Sequence, residues 1–155
     1  MNTLLLSALV FLAFANGEEI KNFEMCPGTR CKISSLDVNP CPQSLKGKMC
    51  EFSTGLNVSV NFSYITEFSS MVPKTNWYAV VGSLEVPNPN MKTDGCLYTS
   101  CPIKAGIEGK YYTGEIPLIK AIPKGQYVGQ IKFWDGTKFA SRKDHCCFRL
   151  TIKIN

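Results

Sequence analysis

The residues best equipped for chemistry are eight cysteines: Cys26, Cys31, Cys41, Cys50, Cys96, Cys101, Cys146 and Cys147. A cysteine can be a nucleophile, a metal ligand or half of a disulfide, and its surroundings decide which. Nucleophilic catalysis needs a free thiol beside a base. The single histidine, His145, stands in Asp144-His145-Cys146-Cys147 and would have to be that base. It reads better as a surface residue entering a disulfide-anchored strand. Zinc sites use closely spaced cysteine and histidine pairs, and these spacings lack that form, so no metal is expected. An EF-hand reading ahead of Gly95 fails because Lys92 falls on a ligand position. Gly-x-Ser-x-Gly, His-Glu-x-x-His and a phosphate-cradling glycine loop are all absent. The 12 acidic residues are scattered, and no two are singled out for glycosidase work. The expectation is a protein without catalytic residues or cofactors.

An even cysteine count suits disulfides in a secreted chain. The amino terminus points to the same compartment. Leu4 to Ala15 is an apolar run broken only by Ser7, and Ala15 and Gly17 offer small-residue cleavage positions. At 12 residues the run is shorter than the roughly 20 that cross a bilayer. It reads as a signal peptide over residues 1–17, without the usual basic residue before the run. One domain then occupies 18–155, destined for extracellular fluid or the lysosomal lumen. Two glycosylation sequons begin at Asn57 and Asn61 and fit that route. The cheapest disulfides close short loops, Cys41 with Cys50 and Cys96 with Cys101. The other four cysteines would tie an amino-terminal strand to the carboxy-terminal strand.

The elements that carry these residues are strands. Leu56, Val58, Val60, Phe62 and Tyr64 alternate with Asn57, Ser59, Asn61 and Ser63, a strand with one buried and one wet face. Both sequon asparagines lie on the wet face. Phe148, Leu150, Ile152 and Ile154 alternate in the same way with Cys147, Arg149, Thr151 and Lys153. Tyr78, Val80, Leu84 and Val86 read in phase over Trp77 to Val86, as do Tyr127, Ile131 and Phe133 before the Asp135-Gly136 turn. A short run, Lys110 to Ile116, and a ragged one, Lys32 to Val38, add two more strands. Prolines and glycines punctuate between strands, and no segment carries a helical stripe. With 45% hydrophobic and 19% charged residues in 155, the chain can build a core. The pattern predicts an all-β sandwich, with a small closed barrel as the second option.

Net charge is +5. Lys46, Lys48, Lys120, Lys124, Lys138, Arg142 and Lys143 are spread along the chain, as solvated edges and loops require. A nucleic-acid partner is not expected. Anionic lipid headgroups or an acidic partner are the functional options for such lysines.

The order of motifs resembles the ML-domain family, the MD-2-related lipid-recognition proteins, and within it the Niemann-Pick type C2-like carriers. The likeness rests on Asn39-Pro40-Cys41-Pro42, the sequon strand, Asp94-Gly95-Cys96 with Cys101-Pro102-Ile103, Tyr111-Tyr112 with Ile116-Pro117-Leu118, and Cys147-Phe148-Arg149-Leu150. The resemblance implies an immunoglobulin-like sandwich of two antiparallel sheets around an apolar cavity. It implies the bridges Cys26–Cys147, Cys41–Cys50 and Cys96–Cys101. Cys31 and Cys146 exceed the usual six and would form a fourth; the swapped pairing, Cys26–Cys146 with Cys31–Cys147, stays open.

The resemblance further implies a carrier that takes one hydrophobic small molecule, a fatty acid, sterol or semiochemical. A membrane surface or a receptor would be its further partner. The alternative within the family is an innate-immune protein presenting microbial lipid to a receptor. Leu118 and Ile122 match cavity-lining positions. Phe62, Tyr64, Tyr78, Val80, Tyr127, Phe133, Phe148 and Ile152 are candidate walls from their phase. Asn88, in Pro87-Asn88-Pro89, stands where sterol carriers have an aromatic residue, and Ile122 replaces another near the mouth. Both changes remove flat surfaces and favour a flexible chain over a ring system.

Overall fold

The alternation of β5 (Asn57–Thr66) sets the fold: Val58, Val60, Phe62, Tyr64 and Thr66 are buried while Asn57 and Asn61 are exposed. The computed structural model describes residues 18–118, 120–137 and 144–155. The segment 1–17, expected from sequence to be a signal peptide, and the basic residues Lys138, Arg142 and Lys143 lie outside the described residues. β5 pairs antiparallel with β3 (Cys31–Asn39) on one side and β8 (Glu108–Tyr112) on the other. β1 (Glu18–Glu19) lies beyond β3, and β9 (Ile116–Pro117) meets the start of β5.

The second sheet runs β2 (Glu24–Met25), β11 (His145–Ile154), β10 (Gly125–Asp135), β6 (Pro73–Val81), β7 (Leu84–Pro87). β4 (Cys50–Phe52) lies parallel to the end of β11, and every other pairing is antiparallel. Two short 3-10 turns, Pro42–Lys46 and Gly95–Leu97, complete the described elements. The chain is an all-β, disulfide-tied sandwich of the immunoglobulin-like kind.

Three local differences from the sequence pattern have physical causes. The apolar phase from Trp77 to Val86 is two strands, because Gly82 at φ 61° turns the chain and pairs Val81 with Leu84. The segment Lys110 to Ile116 divides into β8 and β9 at Thr113-Gly114, where Gly114 has φ 64°. The ragged alternation of β3 is a bulge between Ile33 and Ser35, which shifts its register against β5.

Four disulfides fasten the sandwich. Of the pairings left open by sequence, the structure has Cys26–Cys147 and Cys31–Cys146, beside Cys41–Cys50 and Cys96–Cys101. Cys31–Cys146 joins β3 of the first sheet to β11 of the second. Next to it, Arg30 donates to Asp144 at 2.6 Å and pairs with Glu67 at 3.4 Å.

The core beside this staple is aromatic. Phe62 stacks on Tyr111 with centroids 4.5 Å apart, and meets Phe148 edge-on at 5.0 Å. Tyr64 packs on Phe133 at 4.8 Å. Thr75 donates its hydroxyl proton to the Lys132 carbonyl at 3.0 Å, so it accepts from the Tyr111 phenol at 2.7 Å. Burial holds the Tyr111 phenol far above its ordinary pKa. Tyr111→Phe removes this donor but keeps the ring stack, and Thr75 keeps its own acceptor. The expected loss is about 1 kcal/mol, read as a lower denaturant midpoint with an unchanged slope.

Candidate functional site: an apolar cavity at one end of the sandwich

Rows of inward side chains across the second sheet explain where space is left. The register places Thr75, Phe133 and Cys146 in one row, then Trp77, Ile131 and Phe148, then Ala79, Gly129 and Leu150. The first two rows carry rings and meet the aromatic core. The third carries a methyl group and a hydrogen where bulky residues would otherwise stand. Opposite it, β3 and β5 offer only Val38, Val58 and Val60. The sheets therefore enclose a cavity of about 100 Å³ over Ala79 and Gly129. Trp77 and Ile131 bound it toward the core, and Tyr127, Ile152 and Ile154 on the other side.

The rim comes from Val86, Asn88, Leu118 and Ile122. Tyr127 donates its phenol proton to the Pro123 carbonyl at 2.8 Å, tying β10 to the loop before it. Lys120 and Lys124 are exposed in that loop. None of the lining side chains is charged. The lining amide of Gln130 is bonded at both ends, donating to Glu85 at 2.8 Å and accepting from Arg149 at 2.7 Å. Tyr78 feels burial first and the Glu85 charge second, and both push its phenol pKa up. No acid–base pair or nucleophile stands on the cavity wall. Among the described residues no cluster of three or more metal-type ligands occurs. Such a space is suited to hold an alkyl chain and to exclude water.

The structure brings together Tyr78, Asn88, Leu118, Ile122, Tyr127 and Ile152 on this cavity. Phe62, Tyr64, Phe133 and Phe148 point between the sheets as their phase requires, but they fill the aromatic core and do not line the cavity. Val80 is also absent from the lining: pairing with β10 sets Trp77 and Ala79 beside Ile131 and Gly129 in the inward rows of β6, and of the alternate phase only Tyr78 borders the cavity. Trp77, Ala79 and Gly129 are lining residues outside the apolar phase read from the sequence, and Leu150 stands in that phase but not among the candidate walls. The available signal was Gly129 itself, a glycine in the inward phase between Tyr127 and Ile131. The sequon residues Asn57 and Asn61 are exposed on β5 and outside the cavity, Asn57 donating to Glu115 at 3.3 Å.

The fold and the sequence have known relatives. The sequence profile of the ML domain matches residues 21–154. The chain is 31% identical over 156 residues to an MD-2-related lipid-recognition protein of Manduca sexta, covering 99% of this chain and 97% of that protein. It is 28% identical over 135 residues to NPC intracellular cholesterol transporter 2 of Canis lupus familiaris, covering 81% of this chain and 87% of the relative. Among solved structures, a Niemann-Pick type C2 protein from Japanese carpenter ant has the same fold, with a TM-score of 0.69 and 21% identity. That match covers 86% of this chain and 98% of the ant protein. By its profile match and its full-length likeness to a lipid-recognition protein, the chain belongs to the ML-domain family.

Proposed function

We propose that the protein is a secreted, non-enzymatic carrier that takes one long, flexible lipid between its sheets. The observation that supports this most is the uncharged apolar cavity over Ala79 and Gly129, in a chain of the ML-domain family. Each buried methylene contributes roughly 0.8 kcal/mol, so a long alkyl chain binds tightly with few polar contacts. The cavity of about 100 Å³ holds only part of such a chain, so uptake requires the sheets to part at the rim. Cys31–Cys146 pins them together at the far end.

The relatives are named for lipid recognition and for cholesterol transport. In this chain the rim residues Asn88 and Ile122 present no flat ring, which favours a fatty-acid-like chain over a sterol. Lys120 and Lys124 stand near the rim to meet an anionic head or an anionic membrane surface.

A second reading is presentation of a lipid to a receptor. It is favoured by the full-length likeness to the Manduca lipid-recognition protein and by the exposed apolar residues Val81, Leu84 and Val86 beside the rim. Under both readings a fluorescent long-chain fatty acid binds saturably with one site per chain, and unlabelled fatty acid displaces it better than cholesterol. Absence of saturable binding by either class overturns the carrier.

A further inference from the structure

The outer face of the first sheet carries a row of side chains that stand next to one another across its strands. The register aligns Glu19 on β1 with Asp37 on β3, Asp37 with Asn61 on β5, and Asn61 with Tyr112 on β8. Residues directly opposite on one face have Cβ atoms about 5 Å apart. Asn61 opens the sequon Asn61-Phe62-Ser63 and is exposed. Tyr112 is 57% exposed, and it is the one exposed aromatic side chain among the described residues. The chain thus leaves a single ring in water, directly across from a glycosylation sequon.

The two sequons differ in what stands beside them. Asn57 has Pro117 of β9 as its cross-strand partner and donates to Glu115 at 3.3 Å. Asn61 has an aromatic face on one side and a carboxylate on the other. A sugar ring is amphipathic: C–H groups make up one face, and hydroxyls point from its edge. The C–H face covers an aromatic ring, whose own face is electron-rich. Hydroxyls donate to a carboxylate. Burial first, and the Glu19 charge second, push the Asp37 carboxyl above its ordinary pKa, and a hydroxyl donated to it would act the other way. A sugar on Asn61 therefore meets a partner for each of its two kinds of surface.

We propose that Asn61 carries an N-linked glycan whose first N-acetylglucosamine packs its C–H face on the Tyr112 ring, so that this sugar is a structural part of the first sheet. A glycan on Asn57 has no such seat. Asn61 and Tyr112 face away from the cavity, which β5 lines with Val58 and Val60. The inference therefore shares with the carrier reading only the secretory route on which such glycans are added.

The test uses the full chain expressed in a eukaryotic secretory line, with Asn57→Gln to leave Asn61 as the single sequon, and trimmed to one N-acetylglucosamine. Its intact mass is expected to show one N-acetylhexosamine, absent in Ser63→Ala, which breaks the sequon without touching Asn61. Ser63→Ala is expected to lower Tm by about 3 °C. Tyr112→Thr keeps a strand-forming side chain and is expected to lower Tm by as much with the sugar present, but by less than about 1 °C without it. A second readout serves if Ser63→Ala does not fold: in NMR spectra the Tyr112 ring current shifts the sugar's C–H protons upfield, and Tyr112→Thr returns them. An equal loss on Tyr112→Thr with and without the sugar, or sugar resonances that Tyr112→Thr leaves in place, overturns the seat on Tyr112. Secreted protein bare at Asn61 overturns the inference and leaves the carrier standing. Retention of the chain inside the cell without sugar overturns it together with the secreted route.

Discussion

Gly129→Leu is expected to stabilise the protein and to remove most of its lipid binding. Gly129 faces inward on β10, between Ala79 on β6 and Leu150 on β11. A Cβ built there meets the Leu150 carbonyl at 3.7 Å and the Ile152 and Leu150 methyls at 3.8 and 4.0 Å, which is ordinary contact. The rest of the leucine then grows into the cavity and not into a wall. Filling an apolar void and replacing a strand glycine both favour the folded state, together by about 2 kcal/mol or several degrees in Tm. The same atoms exclude three or four methylenes of the ligand, about 3 kcal/mol, or roughly a hundredfold in affinity. Opposite signs in the two measurements are the signature. Unchanged affinity would mean that the lipid does not lie over Gly129. A fall in stability as well would mean that the void is smaller than the structure gives.

The second large effect concerns the two long-range disulfides, which are expected to act non-additively. Cys26–Cys147 and Cys31–Cys146 span 121 and 115 residues. In the chain-entropy picture, the first such bridge to close removes about 5 kcal/mol of unfolded-state freedom. Once it exists, the other closes only the short circuit through residues 26–31 and 146–147, and adds about 2.5 kcal/mol. Removing either pair alone, as Cys26→Ala with Cys147→Ala or Cys31→Ala with Cys146→Ala, therefore costs about 2.5 kcal/mol. Removing both costs about 7 kcal/mol, more than the sum of the single removals and comparable with the whole stability of a small domain. Denaturant titrations of the three variants measure this directly. Strict additivity would show that native contacts, and not loop closure, set the contribution of each bridge.

Much of the sandwich is legible in the sequence because β5 and β11 alternate residue by residue. One buried face leaves little freedom of register for such strands. The Gly82 hairpin is not legible in the same way. Leu84 and Val86 continue the apolar phase across the turn, so periodicity joins two strands into one. Phase also tells that Phe62, Phe133 and Phe148 point inward, but not how deep they stand. Depth depends on which residue of the facing sheet opposes each ring, and that is set by pairing between distant segments. The cavity is harder still, because it is made by side chains that are missing. Ala79 and Gly129 create it only when β6 and β10 bring them side by side. Asn88, Leu118 and Ile122 were reached through the family resemblance, since nothing in their local sequence marks a rim.

The central claim is that the space between the sheets belongs to one lipid. Native mass spectrometry of the protein secreted from eukaryotic cells and deglycosylated tests it most directly, with extraction of whatever co-purifies. The expected result is a one-to-one adduct whose released mass is that of a long alkyl chain, lost in Gly129→Leu protein prepared in the same way. A bare protein mass, with no uptake when fatty acid, fatty ester or sterol is added, would contradict it and leave a sandwich whose cavity serves no ligand.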